Sequence, residues 1–242
     1  MPLSLQFSSA TDVGRTRGEN QDRFLVRGAL QLAAVADGMG GMPCGEQAAQ
    51  LAIDSLASLA NNALPSDLAG WRSLLDSLNR AVFELGLNLS PLLGTGTTLT
   101  VAHMRGSRLA LAHVGDSAAF RLRGGGVLEQ LTAEHTVAAE VRERRARGSL
   151  ERMPHGAEHT LTSCLGLPYL PRVDIHETDL QPGDRLLLCS DGLTKPVAPA
   201  RIAAALSSAA TPAAAAETLV SLANSAGGPD NITVVVAWVV AA

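Results

Sequence analysis

Residues 97–132 read TTLTVAHMRGSRLALAHVGDSAAFRLRGGGVLEQLT, and this stretch decides the fold class. Its short runs at 97–104, 108–116, 118–124 and 126–132 are broken by glycine or charge at intervals of about 8–12 residues, which predicts an antiparallel meander. Upstream the period changes. In Glu46–Ala60 the apolar residues Ala49, Ala52, Ile53, Leu56, Leu59 and Ala60 return at helical spacing. In 68–89 a second stripe of Trp71, Leu74, Leu75, Leu78, Val82 and Leu85 lies on one face, and Pro65 and Gly94 punctuate the pair. Farther out, LQLAAVA at 30–36 reads as a buried strand delivering Asp37 at its C-terminal end, and Leu3–Thr11 alternates loosely as another strand. Downstream, 136–147 is helical and strongly charged, and a Gly/Pro/His loop runs to about Leu161. Strands are expected at 173–179 and 185–190, two helices broken at Pro212 in the Ala-rich stretch 199–225, and a closing strand in NITVVVAWVV. The class is α+β: sheets face to face with helices outside, in a layer order that periodicity leaves open.

Bulk composition narrows the function. The 242 residues suit a single domain spanning 1–242, and 46% hydrophobic content against 17% charge supplies a core built from Leu, Val and Ala, since aromatics make up only 3%. A net charge of -4 argues against a nucleic-acid partner, which asks for a basic face. Cys44, Cys164 and Cys189 have no paired spacing and read as reduced thiols of a cytoplasmic protein. No Lys or Arg precedes Arg15 and no cleavable apolar segment follows, so no secretory signal is expected. The longest apolar run, Val234 to Ala242, is about half the roughly 18–20 residues a membrane span needs, so no membrane partner is expected.

Four acidic segments share one physical design: Asn20-Gln21-Asp22, Asp37-Gly38-Met39-Gly40-Gly41, Ser190-Asp191-Gly192 and Pro229-Asp230-Asn231. Most of these aspartates sit at strand edges or beside residues that turn sharply. Carboxylates gathered from distant parts of a chain repel one another and are tolerated together when cations neutralise them. All-oxygen ligation suits Mg2+ or Mn2+ with water completing the shell, and two such ions lower the pKa of a bridging water to yield a hydroxide nucleophile.

Taken in order, the segments resemble the metal-dependent protein phosphatase family, type 2C. The resemblance runs from Thr11-Asp12-Val13-Gly14 through Arg17-Gly18-Glu19-Asn20-Gln21-Asp22, Val35-Ala36-Asp37-Gly38, Gly96-Thr97-Thr98, His113-Val114-Gly115-Asp116-Ser117, Leu131-Thr132-Ala133-Glu134-His135, Leu161-Thr162, Leu165-Gly166, Ser190-Asp191-Gly192-Leu193 and Pro229-Asp230-Asn231-Ile232-Thr233. It implies two antiparallel sheets in a central sandwich flanked by antiparallel helix pairs, a four-layer α-β-β-α order, with a flap over about 136–162. It implies that Asp22, Asp37, Asp191 and Asp230 hold two Mn2+ or Mg2+ ions directly or through water, with the carbonyl of Gly38 as a further ligand. Asp116 would join Asp191 at a weaker third metal site. Arg17, three residues before Asn20, matches the phosphate-binding arginine, whose fork suits a phosphate dianion. Arg17, Asp37 and Asp191 are thus the implied catalytic residues.

The implied activity is hydrolysis of phosphoserine and phosphothreonine on proteins by direct attack of the hydroxide, in a monomer opposing a bacterial Ser/Thr kinase. No cysteine has an arginine six positions on, so the nucleophile loop of tyrosine phosphatases is absent. Two alternatives are a non-catalytic phosphoprotein-binding pseudophosphatase and a dedicated partner-switching phosphatase. The retained aspartates and Arg17 oppose the first; the second usually carries extra sensor or coiled-coil segments.

Several positions depart from the family pattern. Met39 stands where many eukaryotic members carry a histidine, and a thioether donates no proton. His135, His155 and His159 read as surface loop histidines rather than replacements. Ala118 and Ser163 stand where relatives carry arginine. The basic run Arg142, Arg144, Arg145 and Arg147 reads as a solvated helix face balanced by Glu140 and Glu143, and Cys189 as a buried core thiol.

Overall fold

A computed structural model describes residues 3–39, 44–61, 64–124 and 126–241; Gly40 and Gly41 of the second acidic segment lie outside them. The chain begins with β1 (Leu3–Asp12), β2 (Asp22–Arg27) and β3 (Leu32–Asp37), then the helices α1 (Gly45–Ala60) and α2 (Leu68–Leu89). Strands β4 (Leu99–Arg105), β5 (Arg108–Val114), β6 (Ala118–Arg123) and β7 (Val127–Gln130) follow, and then α3 (Val137–Ala146). The last third holds β8 (Asp174–Asp179), β9 (Arg185–Cys189), the single-turn α4 (Asp191–Thr194), α5 (Pro199–Ser208), α6 (Pro212–Ser225) and β10 (Ile232–Ala241).

The strands form two five-stranded sheets, in the orders β1-β10-β9-β6-β7 and β2-β3-β4-β5-β8, with every pairing antiparallel. Three apolar layers hold them. Between the sheets lie Val35, Met104, Leu109 and Leu111 from one and Leu186, Leu188, Val235 and Val239 from the other. The outer face of the second sheet packs on the α1 and α2 stripes through Leu56, Trp71, Leu75 and Val101. The outer face of the first packs on α5 and α6 through Ile202, Leu206, Leu219 and Val236. Alternation along each strand therefore feeds two different cores, which gives the four-layer α-β-β-α order. Side-chain caps start the outer helices: Asp67 accepts from the Gly70 N–H ahead of α2, and Thr211 from the Ala214 N–H ahead of α6, each worth about 1 kcal/mol.

Two expectations change. The meander breaks in the middle, because β5 and β6 belong to different sheets; the chain crosses between them at Gly115–Ser117, where Gly115 has φ +112°. Asp116 sits on that crossing. Strand β2, unread in the sequence, pairs with β3 along its whole length and puts Asp22 directly opposite Asp37.

Candidate metal centre

The acidic segments meet at one end of the sandwich. Asp37 closes β3, Asp22 opens β2, Asp191 starts α4 just after β9, and Asp230 precedes β10. Tight packing brings the last two together: a Cβ on Gly192 would lie 1.9 Å from the Asn231 carbonyl oxygen, so only glycine lets the α4 turn rest on that backbone. Gly38 is equally confined, since its Cβ would come within 2.3 Å of the Gly45 carbonyl oxygen. Asn231 fastens the loops, donating from Nδ2 to the carbonyls of Val13 (2.9 Å) and Glu19 (2.8 Å) and accepting at Oδ1 from the Gln21 N–H (2.9 Å). Thr98 Oγ1 accepts from the Asp37 N–H at 3.0 Å, and Ser190 Oγ donates to Asp22 Oδ2 at 2.6 Å.

Arg17, Asp37, Gly38, Asp116, Asp191 and Asp230 line one cleft; Met39 is also on its wall. Asp22 is 3% exposed and set back from that wall. Each predicted site residue is thus at or directly behind the cleft. The electrostatics are those of crowded acids. Burial, followed by Asp22 and Asp191, pushes the Asp37 carboxyl well above its ordinary range. Burial raises Asp22 to about 7 against the opposing hydrogen bond from Ser190, and burial plus Asp191 raises Asp116 to about 7. Asp22 Oδ1 and Asp191 Oδ1 are buried without a hydrogen-bond partner. A buried carboxylate oxygen left unpaired is costly, and a cation is the partner that relieves both the orphaned oxygens and the mutual repulsion. Among the described residues no three His, Cys, Asp or Glu side chains form a ready-made cage for one ion. An all-oxygen donor set suits Mg2+ or Mn2+, which are held by one or two carboxylates each and keep several waters.

Two cations of the chain already face these acids. Arg17 Nη2 donates to Asp230 Oδ2 at 2.9 Å, a hydrogen bond that holds the guanidinium above its ordinary pKa. Arg15 turns elsewhere: its N–H binds the Gly228 carbonyl and it lines a recess against α6, so the spacing that singled out Arg17 chose the residue in the cleft. Lys195, which sequence reading passed over, pairs with Asp191 and lies 3.6 Å from Asp116. Its signal was available, since Asp191 and Lys195 are four residues apart across a helical turn.

His135 corrects an expectation. It is fully buried, not a surface residue: Nδ1 accepts from the Gly115 N–H at 3.2 Å and Nε2 pairs with Asp174 Oδ2 at 3.1 Å. His113, also buried, bonds Thr100 Oγ1 through Nδ1 and the carbonyls of Gly115 and Ala133 through Nε2. Burial, and then the neighbouring His135, lowers His113 to about 3. The two imidazoles brace the sheet crossing that presents Asp116. His155 and His159 are exposed, and His159 borders the cleft. Ala118 and Ser163 are buried away from the cleft wall, Ser163 Oγ donating to the Arg172 carbonyl. On α3, Arg144 pairs with Glu140 and Glu151, Arg147 with Glu143, and Arg142 with Glu134, as a balanced exposed face. Cys189 is a buried thiol, raised above its usual pKa by burial and then Asp191.

The chain is similar to known proteins along most of its length. A family model described as protein phosphatase 2C matches residues 15–226. The serine/threonine protein phosphatase PstP of Mycobacterium tuberculosis is 37% identical over 240 residues, covering 98% of this chain and 46% of the relative. A serine/threonine phosphatase, stp, of Listeria monocytogenes is 33% identical over 232 residues, covering 93% of this chain and 92% of the relative. The chain thus spans about half the length of the mycobacterial relative and most of the listerial one. Among solved structures, the catalytic domain of PstP in complex with two manganese ions superposes with a TM-score of 0.85 at 37% identity, covering 99% of this chain and 100% of that one.

Proposed function

The chain belongs to the protein phosphatase 2C family, and from that premise we propose that it is a metal-dependent phosphatase hydrolysing phosphoserine and phosphothreonine on proteins. The observation that carries this reading is the single cleft that gathers Asp37, Asp116, Asp191 and Asp230 with Arg17 over the buried Asp22, two of whose acids have orphaned oxygens. Asp22, Asp37, Asp191, Asp230 and the Gly38 carbonyl would hold two Mn2+ or Mg2+ ions. Bound there, the ions supply Lewis acidity toward water and phosphate.

The chain's own groups do the rest. Arg17 lines the cleft with its side chain 44% exposed, and its one side-chain bond among the described residues, to Asp230, leaves guanidinium donors for two phosphate oxygens. Thr98 and Ser190 hold Asp37 and Asp22 in register, and Asn231 keeps the Arg17 loop against the Asp230 turn. Met39 offers no proton to the departing seryl or threonyl oxygen. His113 and His135 are committed to backbone and Asp174, so neither reaches that oxygen. None of these three residues therefore delivers that proton.

Residues 136–162 border the cleft through His159 and Leu161, which supports reading them as a flap on a single 1–242 domain. Among the described residues no helix is long and apolar enough to cross a membrane. Its free thiols support a cytoplasmic enzyme, and we take its substrates to be the phosphorylated targets of a cognate Ser/Thr kinase. The test is turnover of p-nitrophenyl phosphate and of a phosphothreonine peptide with Mn2+, with and without chelator. Activity should appear with the metal and vanish with the chelator; turnover indifferent to chelator would overturn the reading.

A further inference from the structure

Lys195 is a basic residue of the cleft that neither the two-ion centre nor the phosphate clamp uses. It caps the C-terminal end of α4, where its N–H donates to the Asp191 carbonyl at 2.9 Å, so one helical turn returns its side chain over Asp191. The ammonium is bonded to Asp191 Oδ2 and stands 3.6 Å from Asp116 Oδ2. The side chains of both carboxylates are only 10% exposed. Two nearly buried carboxylates brought together from a sheet crossing and a helix start need a positive partner. Among the described residues Lys195 is the basic side chain within ion-pair reach of Asp116.

We propose that Lys195 is a built-in cation for the Asp116–Asp191 pair, standing where a third divalent ion would otherwise bind, so that the cleft holds two metal ions rather than three. The inference rests on the two-ion reading above. It departs from the expectation that Asp116 serves as a metal ligand. A tethered ammonium needs no ion captured from solution, so it holds its place at metal concentrations too low to fill a weak site. A divalent ion entering between the same carboxylates would also meet a positive charge within a few ångströms, in a site partly shielded from water.

The test counts bound ions rather than turnover. Wild type, Lys195→Gln, Lys195→Arg and the double variant Lys195→Gln/Asp116→Asn are dialysed to equilibrium against Mn2+ from micromolar to millimolar, and bound metal is measured per chain. Wild type and Lys195→Arg should saturate at two ions. Lys195→Gln should take up a third at least about tenfold more tightly than any additional binding to wild type, as removal of a facing unit charge demands. The double variant should lose that third ion. A third ion bound equally by wild type and Lys195→Gln overturns the inference and leaves the two-ion centre standing, and so does a count of two in both. Fewer than two ions in wild type overturns it together with the reading beneath it. The wild-type count stands by itself should Lys195→Gln fail to fold.

Discussion

Arg17 and Lys195 line one cleft and pair with different acids, and they are built differently. Arg17 comes from the loop between β1 and β2, has a side chain 44% exposed and, among the described residues, makes one side-chain bond, to Asp230. Lys195 rides on a helical turn, is 31% exposed and serves two carboxylates that are themselves almost out of water. An exposed ion pair contributes about 0–1 kcal/mol and is readily exchanged for a ligand. Breaking a pair whose acids are buried costs more, because a charge is stranded where water cannot reach it. One pair is therefore made to let go and the other to stay.

That contrast can be broken at several points. Asp191→Asn removes a proposed metal ligand and the partner of Lys195 together. Loss of an outer partner of a metal site costs about 10–100-fold, so loss of a ligand should lower kcat/KM by at least about a hundredfold, as should Asp37→Asn, measured with a phosphothreonine peptide and Mn2+. Arg17→Ala should act at the exchangeable pair, raising KM about tenfold with the melting temperature unchanged. An unchanged KM would move phosphate binding to another residue. Gly192→Ala should leave Arg17 untouched but force the α4 turn off the Asn231 backbone, lowering stability by about 1–3 kcal/mol in a urea titration.

A further effect, gradual in pH, lies beside the pair that stays. His113 braces the Gly115 crossing beside Asp116, and its pKa falls from the ordinary 6.5 to about 3 in the fold. The unfolded chain therefore takes up this proton first. The His113 contribution is fully present above pH 6.5 and is lost as pH falls from there toward about 3, with roughly 1 kcal/mol gone per pH unit below the upper limit. The crowded carboxylates Asp22, Asp37 and Asp116 shift the opposite way, so the comparison must be between wild type and His113→Gln at each pH. The stability difference between them should shrink on acidification. A difference constant from pH 7.5 to about 5 would mean His113 is not held neutral.

Much of this was readable before any fold was known. The stretches 46–60 and 68–89 match α1 and α2 in extent, because one apolar face must meet one sheet, although Leu59 of the first stripe is exposed. The acidic segments and Arg17 were readable because short backbone turns and carboxylates carry their chemistry locally. Strand β2 was not, since Arg23 and Arg27 interrupt its alternation, and the side-chain partners of Arg23, Glu46 and Gln50, lie on α1. The break in the meander was hidden because a strand's periodicity reports burial, not which sheet it joins. His135 was misread for a related reason: its partner Asp174 is 39 residues away in sequence. Lys195 carried a local signal, four residues after Asp191, that becomes meaningful only once Asp116 arrives from the sheet crossing.

The most direct test is to strip the protein of metal, restore Mn2+ stepwise, and record phosphate release from a phosphothreonine peptide against the number of ions bound. Stripped protein should be inactive, and the rate should climb as the count approaches two and then level off. Full turnover with no ion bound, or two ions bound with no hydrolysis, would contradict a two-metal phosphatase built on Asp22, Asp37, Asp191 and Asp230.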